Sequence, residues 1–521
     1  MSVSLEIPAS PRGILPPDPV APDSLPFLKR LQTLPARWQG EGFGAFAAEA
    51  GAAGLELRAG RPAGTLYLTD AGGMAHGLPH VVLLARTAPQ VAELLRLAQR
   101  HCVPVTVRGG GLTTEGESVA FGGVLLDMTG MSRVLAIDRE RMTVRVEGGT
   151  YWHSLAEALR RQGLDYLSAP LNFTSSVGGT LGVGGVDINS PRLGLSADQA
   201  VALQVVTPTG EIVECSEERN PELFERVLLG YGQFGVITEA TLRVRPFTPI
   251  GMRYYYYRSL RAAILDLQWL VREDAADYSG ILTMLDRAVQ LLVAFDSDAR
   301  EAAFVRDFEP RLRGHGEAGF ALRMAGHYAL RPWRLREARY LIDRRLTLLP
   351  EFHRAEFTRD GKIVDRTVVF SRAVWRFWGG RQMVIPDLST SEAKFAEAVE
   401  RGNGVCRRYF PHYTLYCVGI KLFGKRPRYE MSCVPPDAQD FAYGCEFEPM
   451  LGGATYSRDH LQSFKNEIYD IGVDLGTSYY RFGGMMKGYI RRALGDDVVE
   501  RHLALKLAAD PGMVLNRDVI F

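Results

Sequence analysis

Three glycine-rich passages carry the strongest chemical signal in this chain: Arg108-Gly-Gly-Gly111, Gly178-Gly-Thr-Leu-Gly-Val-Gly-Gly185 and Gly230-Tyr-Gly-Gln-Phe-Gly235. The last matches Gly-x-Gly-x-x-Gly, which in a dinucleotide fold follows a strand and opens a helix toward the pyrophosphate. Here a helical pattern (NPELFERVLLG) precedes it and a strand pattern (VITEATLRV) follows, so the order is reversed and a nicotinamide nucleotide is not expected. The other two passages lack the Gly-Lys-Ser/Thr of an ATP-binding loop. Successive glycines let backbone N–H groups converge on one concavity, which suits a pyrophosphate. Either passage alone reads better as a tight loop with no ligand; two of them, followed by a third turn, point to a long phosphate-containing cofactor.

The elements that must hold these passages can be read from periodicity. HVVLLA (80–85), VPVTV (103–107), VLLDM (124–128), VLAID (134–138) and MTVRVEGG (142–149) read as strands, and residues 88–101 carry apolar side chains at helical spacing. HSLAEALRRQG reads as a helix, and Thr209-Gly210 as a turn between two strands. Asn220 and Gly230 bracket a helix as N-cap and C-cap. The second glycine passage reads as an irregular loop. Near Pro246 the text changes: aromatics and arginines become dense (253–258, 331–340, 372–381) and strands alternate with long amphipathic helices. The expected organisation is a proline-rich tail at 1–37, one domain at 38–247, a second at 248–475 and a closing segment at 476–521. Arginine runs such as RLREARYLIDRR read as a solvated helix face, and the YYYY run and Met485-Met486 as core.

Composition excludes several classes. The 521 residues are too many for one core, and Lys+Arg 61 against Asp+Glu 60 leaves no basic excess for nucleic acid or an anionic membrane. Six scattered cysteines form no CxxC pair, so reduced thiols and no metal site are expected. The start has neither the basic residues nor the apolar run of a signal peptide, and no 18-residue apolar span follows, which predicts a cytoplasmic protein without a membrane segment.

The ordered set PVTVRGGG..TEGES, GGVLLDM, EGGTYWHSL, SVGGTLGVGG, VVTPTGEIVECS, GYGQFGVIT and the closing DPGMVLN resembles the vanillyl-alcohol oxidase superfamily of flavoproteins, of the para-cresol methylhydroxylase type. Its nearest echoes are cytokinin dehydrogenase-like and berberine-bridge-enzyme-like members. The resemblance implies an α+β fold: a split FAD-binding domain with an inserted substrate (cap) domain of antiparallel sheet and helices. It implies that Gly109, Gly110, Gly111, Leu112 and Thr113 cradle the pyrophosphate, that Ser176, Gly179, Thr180, Gly182 and Val186 line the ribityl and isoalloxazine portions, that Ile237 touches the adenine end, and that Asn516 closes over the flavin.

Two departures bear on the chemistry. The histidine that tethers FAD covalently in many relatives is replaced by Leu112, and the cysteine of doubly tethered ones by Thr174. FAD is therefore expected to be noncovalent unless His353, His412 or His460 of the cap supplies a bond. The aspartate that relatives carry before the second glycine loop is missing from SAPLNFTSS (168–176), which argues against a cytokinin substrate and leaves the proton acceptor unassigned. Tyr480-Arg481 matches the pair that grips a phenolate in phenol-oxidising relatives; the alternative is a packing tyrosine and a salt-bridge arginine. The resulting expectation is an FAD-dependent oxidoreductase taking a hydride from a phenolic or alcoholic small molecule, with O2 or another acceptor, in specialised metabolism, with decarboxylation open for a para-phenolic acid; a homodimer is compatible with it. The rival readings are a 2-hydroxy-acid or sugar dehydrogenase, and a flavin-binding module that has lost catalysis.

Overall fold

In the computed structural model, which describes residues 40, 42–59, 67–170, 174–284, 288–316, 358–359, 362–363, 384–423, 433–449, 456–483 and 486–520, the first glycine loop leaves the edge of a small sheet. That sheet has the order β1-β2-β4-β3, from β1 (Arg58–Ala59), β2 (Val81–Leu84), β3 (Val105–Arg108) and β4 (Val124–Asp127). β2, β4 and β3 run parallel. Helices α1 (Phe43–Ala52) and α2 (Ala88–His101) share a core with it, through Phe46, Ala50, Val91, Leu94, Leu95 and Ala98. Thr87 caps α2 by accepting the Gln90 N–H at 3.4 Å, and Cys102 in the left-handed region (φ 52°) ends it.

A second, antiparallel sheet follows, with β5 (Val134–Asp138), β6 (Thr143–Glu147), β7 (Leu164–Tyr166), β8 (Ala200–Val206), β9 (Ile212–Ser216) and β10 (Val236–Pro246). Its order is β5-β6-β10-β8-β9, with β7 on the end of β10. Helices α3 (Trp152–Arg160), α4 (Val177–Val183) and α5 (Pro221–Val227) belong to this part of the chain. Two sequence readings need correction here. The second glycine passage is largely helical, as α4: a helix with glycine at 178 lets the backbone press on Gly148, whose carbonyl would lie 3.0 Å from a Cβ at Gly178 and accepts the Gly178 N–H at 2.7 Å. And α5 ends at Leu228, not Gly230, because the Leu229 and Tyr231 N–H groups turn to the carbonyls of Leu181 and Gly182 on α4. Asn220 holds the N-cap position of α5 in the left-handed region (φ 49°), but its side chain makes no cap bond and instead donates to the Glu214 carbonyl at 2.8 Å.

Between Pro246 and Gly251 the chain passes to a third sheet, formed by β11 (Gly251–Tyr257), β12 (Tyr278–Met284) and β13 (Ala288–Phe295), and, after the short pair β14 (Thr358–Arg359) and β15 (Lys362–Ile363), by β16 (Asp387–Ser391), β17 (Tyr413–Lys421) and β18 (Phe441–Pro449). The order β11-β13-β12-β17-β18-β16 is antiparallel throughout. Strand alternation divides its residues cleanly. Tyr255, Tyr257, Leu291, Val293, Leu415, Cys417, Cys445 and Phe447 join a core with helices α6 (Leu260–Arg272), α7 (Asp298–Asp307), α8 (Glu392–Tyr409) and α9 (Arg458–Leu475). Tyr254, Tyr256, Leu292, Tyr416 and Val418 cluster on the opposite face, so the YYYY run serves both sides.

After α10 (Lys487–Leu494) and α11 (Asp496–Ala509) the chain returns to β3, where the Val105 N–H donates to the Val514 carbonyl and the Asn516 N–H to the Val105 carbonyl, each at 2.8 Å. The tail at 1–37, the arginine-rich runs at 331–340 and 372–381, residues 171–173, His353 and Met485 lie outside the described residues. Met486 is buried in the core. Five of the six cysteines are buried free thiols and Cys102 is an exposed one.

Candidate functional site

A cavity runs from the glycine loops to the face of the third sheet that turns away from its helices, and it is lined by the residues expected to hold the cofactor and by the Tyr-Arg pair: Gly109, Gly110, Gly111, Leu112, Thr113, Ser176, Gly179, Thr180, Gly182, Val186, Ile237, Asn516, Tyr480 and Arg481. Local chemistry explains how they are held. Ser176 caps α4 by accepting the Gly179 N–H at 3.3 Å, and the Trp152 indole N–H donates to the Thr180 hydroxyl at 2.9 Å. The first loop is pressed against the segment before α4, since a Cβ at Gly110 would lie 2.5 Å from the Thr174 carbonyl. Gly111 sits at φ 67°, where a side chain is strained and would also meet the Arg108 guanidinium. Asn516 joins the parts: its Oδ1 accepts the Val107 N–H at 2.8 Å and its Nδ2 donates to the Gly232 carbonyl at 2.9 Å.

Among the described residues no hydrogen bond engages the N–H groups of Gly110, Gly111, Leu112 or Thr113. A loop of unengaged amides at a cavity wall matches the needs of a phosphate. Two acids stand beside it. Asp70 accepts the Thr113 hydroxyl and the Gly116 N–H, each at 2.9 Å, and burial pushes its carboxyl up to about 6 against those bonds. Glu117 lines the cavity itself, and burial, reinforced by Asp70 and Glu115, pushes it up to about 8. Glu117 is thus neutral at neutral pH, which makes it compatible with a phosphate neighbour.

The far end is more acidic than the sequence suggested. Arg481 is bound on both sides: Nη1 donates to Asp387 at 2.6 Å and Nη2 to Glu446 at 2.8 Å. The Tyr480 N–H donates to the other Asp387 oxygen at 2.6 Å, and the Tyr480 hydroxyl accepts the Gly185 N–H at 3.0 Å. The tyrosine thereby ties the third sheet to the segment after α4, while Arg481 is a compensated cation, not the free one the motif implied. Burial raises Asp387 to about 6 despite Arg481. Glu448, two residues along β18, also lines the cavity; burial first, then the Glu446 charge, holds it well above the usual carboxylate range. Glu117, Glu446 and Glu448 were missed in the sequence. The alternation Glu446-Phe447-Glu448 was the available sign, because two acids on one face of a buried strand need a purpose. His412 and His460 do not line the cavity; His460 packs among Tyr409, Phe410 and Tyr456.

Residues 79–216 match the family model for an FAD binding domain. The chain is 40% identical over 177 residues to an uncharacterised oxidoreductase of the fasciation locus of Rhodococcoides fascians, covering 34% of this chain and 40% of that protein. It is 32% identical over 234 residues to cytokinin dehydrogenase 2 of Oryza sativa subsp. japonica (43% and 41%), and 30% identical over 174 residues to D-lactate dehydrogenase of Anaerostipes hadrus (32% and 37%). These alignments span about two fifths of the relatives' length. A solved structure of alkyldihydroxyacetonephosphate synthase shares the fold over 91% of this chain and 86% of its own, with a TM-score of 0.60 and 17% identity. No helix among the described residues is long and apolar enough to cross a membrane, and no group of three or more His, Cys, Asp or Glu residues among them could hold a metal ion.

Proposed function

As a member of the FAD-binding flavoproteins of the vanillyl-alcohol oxidase type, this chain, we propose, is an oxidoreductase that takes a hydride from a phenolic or alcoholic small molecule in the cavity between the glycine loops and the third sheet. The observation that carries this reading is the continuity of that cavity. Unengaged amides and glycines stand at one end, and ionisable and hydroxyl groups on rigid strands at the other. The residues present suit FAD: the amides of Gly110, Gly111, Leu112 and Thr113 would hold its pyrophosphate, with Ser176, Gly179, Thr180, Gly182 and Val186 along its middle, Ile237 at the adenine end and Asn516 across it. Leu112 lines the cavity where a tethering side chain would stand and has no nucleophilic atom, which supports noncovalent binding. When bound, FAD supplies the hydride acceptor.

The chain's own part is to orient and to manage a proton. Tyr480 and Arg481 form one edge of the substrate end, and Asp387 and Glu446 hold the Arg481 guanidinium in place. Reaction of an alcohol releases the hydroxyl proton along with the hydride, and the cavity-facing carboxyl groups of β18 supply the ionisable acid/base missing from residues 168–176. The similarity to a D-lactate dehydrogenase gives a second reading, a 2-hydroxy acid as substrate. That reading needs a cation available to a carboxylate, whereas Arg481 already carries two.

Anaerobic mixing of the yellow holoprotein with alcohols, phenols, 2-hydroxy acids and amines tests the proposal. Bleaching of the flavin by an alcohol or phenol is expected. Bleaching by hydroxy acids alone would support the second reading. No bleaching by any class, with dithionite still reducing the flavin fully, would mark a binding module without catalysis.

A further inference from the structure

The wall of the substrate end is built by cross-strand pairing. Thr414 on β17 stands opposite Glu448 on β18, and Tyr416 opposite Glu446, so alternation turns all four to one sheet face. Two of these groups have no hydrogen-bond partner among the described residues. The Thr414 hydroxyl, on a residue 1% exposed, and the Tyr416 hydroxyl, on a residue 8% exposed, are buried at the cavity wall without one. A buried hydroxyl without a partner is disfavoured, and its persistence in a cavity wall points to a ligand that completes it.

Charge decides the kind of ligand. Among the described residues that line this end Arg481 is the cation, and Asp387 and Glu446 already bind it. Glu448 shares a hydrogen bond with Glu446, and burial holds its carboxyl well above the usual carboxylate range. An incoming carboxylate would meet three acids and a cation with no charge to spare. Hydroxyl groups, which both donate and accept, match what remains: two hydroxyls and a carboxylic acid.

We propose that Thr414, Tyr416 and Glu448 form a hydroxyl-reading wall that selects an uncharged, polyhydroxylated substrate and rejects its carboxylate counterpart. This rests on the reading of the cavity as a substrate pocket and narrows the substrate class within it. A site whose buried groups are completed only by substrate hydroxyls discriminates strongly against analogues lacking them.

The test uses the FAD-loaded protein and a matched set of probes, D-glucitol, D-gluconate and D-glucamine, with xylitol and glycerol as shorter polyols. Binding is read from the perturbed flavin absorbance, so no turnover is needed. At least one polyol should bind saturably, with D-gluconate at least about tenfold weaker than D-glucitol. Tyr416→Phe, which deletes one hydroxyl and keeps the ring, should weaken polyol binding by about three- to tenfold. Glu448→Gln should retain most of it and Glu448→Ala should lose about tenfold or more, with FAD content and melting temperature showing that each variant is folded. Equal or tighter binding of D-gluconate or of D-glucamine would overturn the inference, as would unchanged binding in both Tyr416→Phe and Glu448→Ala, or no binding by any polyol. Saturable polyol binding without anaerobic bleaching would leave the wall standing and count against hydride transfer from that polyol.

Discussion

Arg481 lines the cavity with its charge already met by two carboxylates. By size alone, methionine at 481 removes a charge and keeps the packing. Inside the protein that change strands Asp387 and Glu446, and breaking a buried pair by removing one partner costs about 3–5 kcal/mol. Arg481→Met is therefore expected to melt well below the wild type. Arg481→Lys, which keeps the charge but not the two-sided grip, should stay folded with FAD bound and reduce its flavin about tenfold more slowly or worse, read by anaerobic stopped flow. Glu117 gives a pH dependence with a definite sign. Its carboxyl, raised to about 8 by burial, is neutral below that pH and adds a negative charge above it, next to amides expected to hold a pyrophosphate. FAD affinity should hold from pH 6 to 7.5 and fall above about 8, by up to tenfold per pH unit from this one ionisation. Fluorescence titration of the apoprotein with FAD checks this, and Glu117→Gln should flatten that fall.

Helix α4 separates two uses of glycine that its sequence does not distinguish. Gly178 lies against the Gly148 carbonyl, so Gly178→Ala strains the helix–strand contact itself. Gly182 faces the cavity, and the nearest atom to a Cβ there is the Gly232 nitrogen at 3.9 Å. A methyl at 182 therefore fits the protein, and alanine is favoured over glycine within a helix by about 0.5–1 kcal/mol. Gly182→Ala apoprotein should melt at or above the wild-type temperature and yet bind FAD about tenfold more weakly. Full FAD affinity in that variant would remove α4 from the cofactor site. Strand β18 repeats the lesson in a sheet: Cys445 and Phe447 enter the helix-side core while Glu446 and Glu448 turn to the cavity, and only strand alternation separates them.

A buried ion pair fixes the closing segment of the chain. Lys506 on α11 and Asp510, both fully buried, are 2.7 Å apart; the lysine also donates to the Gln233 and Leu515 carbonyls, and Asp510 accepts the Val514 and Leu515 N–H groups. This knot sets the path of the segment that lays Asn516 between β3 and the turn at Gly232. Asp510→Ala leaves a buried ammonium and two amides unmatched, and should lower stability by about 3–5 kcal/mol in denaturant melts. FAD should also be released earlier in the melt than in the wild type, because Asn516 loses its anchor.

The sequence by itself determined the local elements and the cofactor end. Helix 88–101, the strands through 246 and the first glycine loop are written in short-range periodicity and in residues whose backbone freedom has one main use, whereas the helical form of the second glycine passage is not. Those loops lie close together in the chain and resemble a known family, so the residues expected to cradle FAD could be named one by one. The acid-rich substrate end was decided by tertiary structure. Asp387, Thr414, Tyr416, Glu446 and Glu448 come from three strands whose order in the sheet is not their order in the chain, and Arg481 meets them only after α9 has packed beside β16 and α8. Whether an arginine is free or paired, and whether a glutamate is charged, depends on which carboxylates lie within a few ångströms and on how much water is excluded. Those are properties of the folded neighbourhood, and no spacing along the chain encodes them.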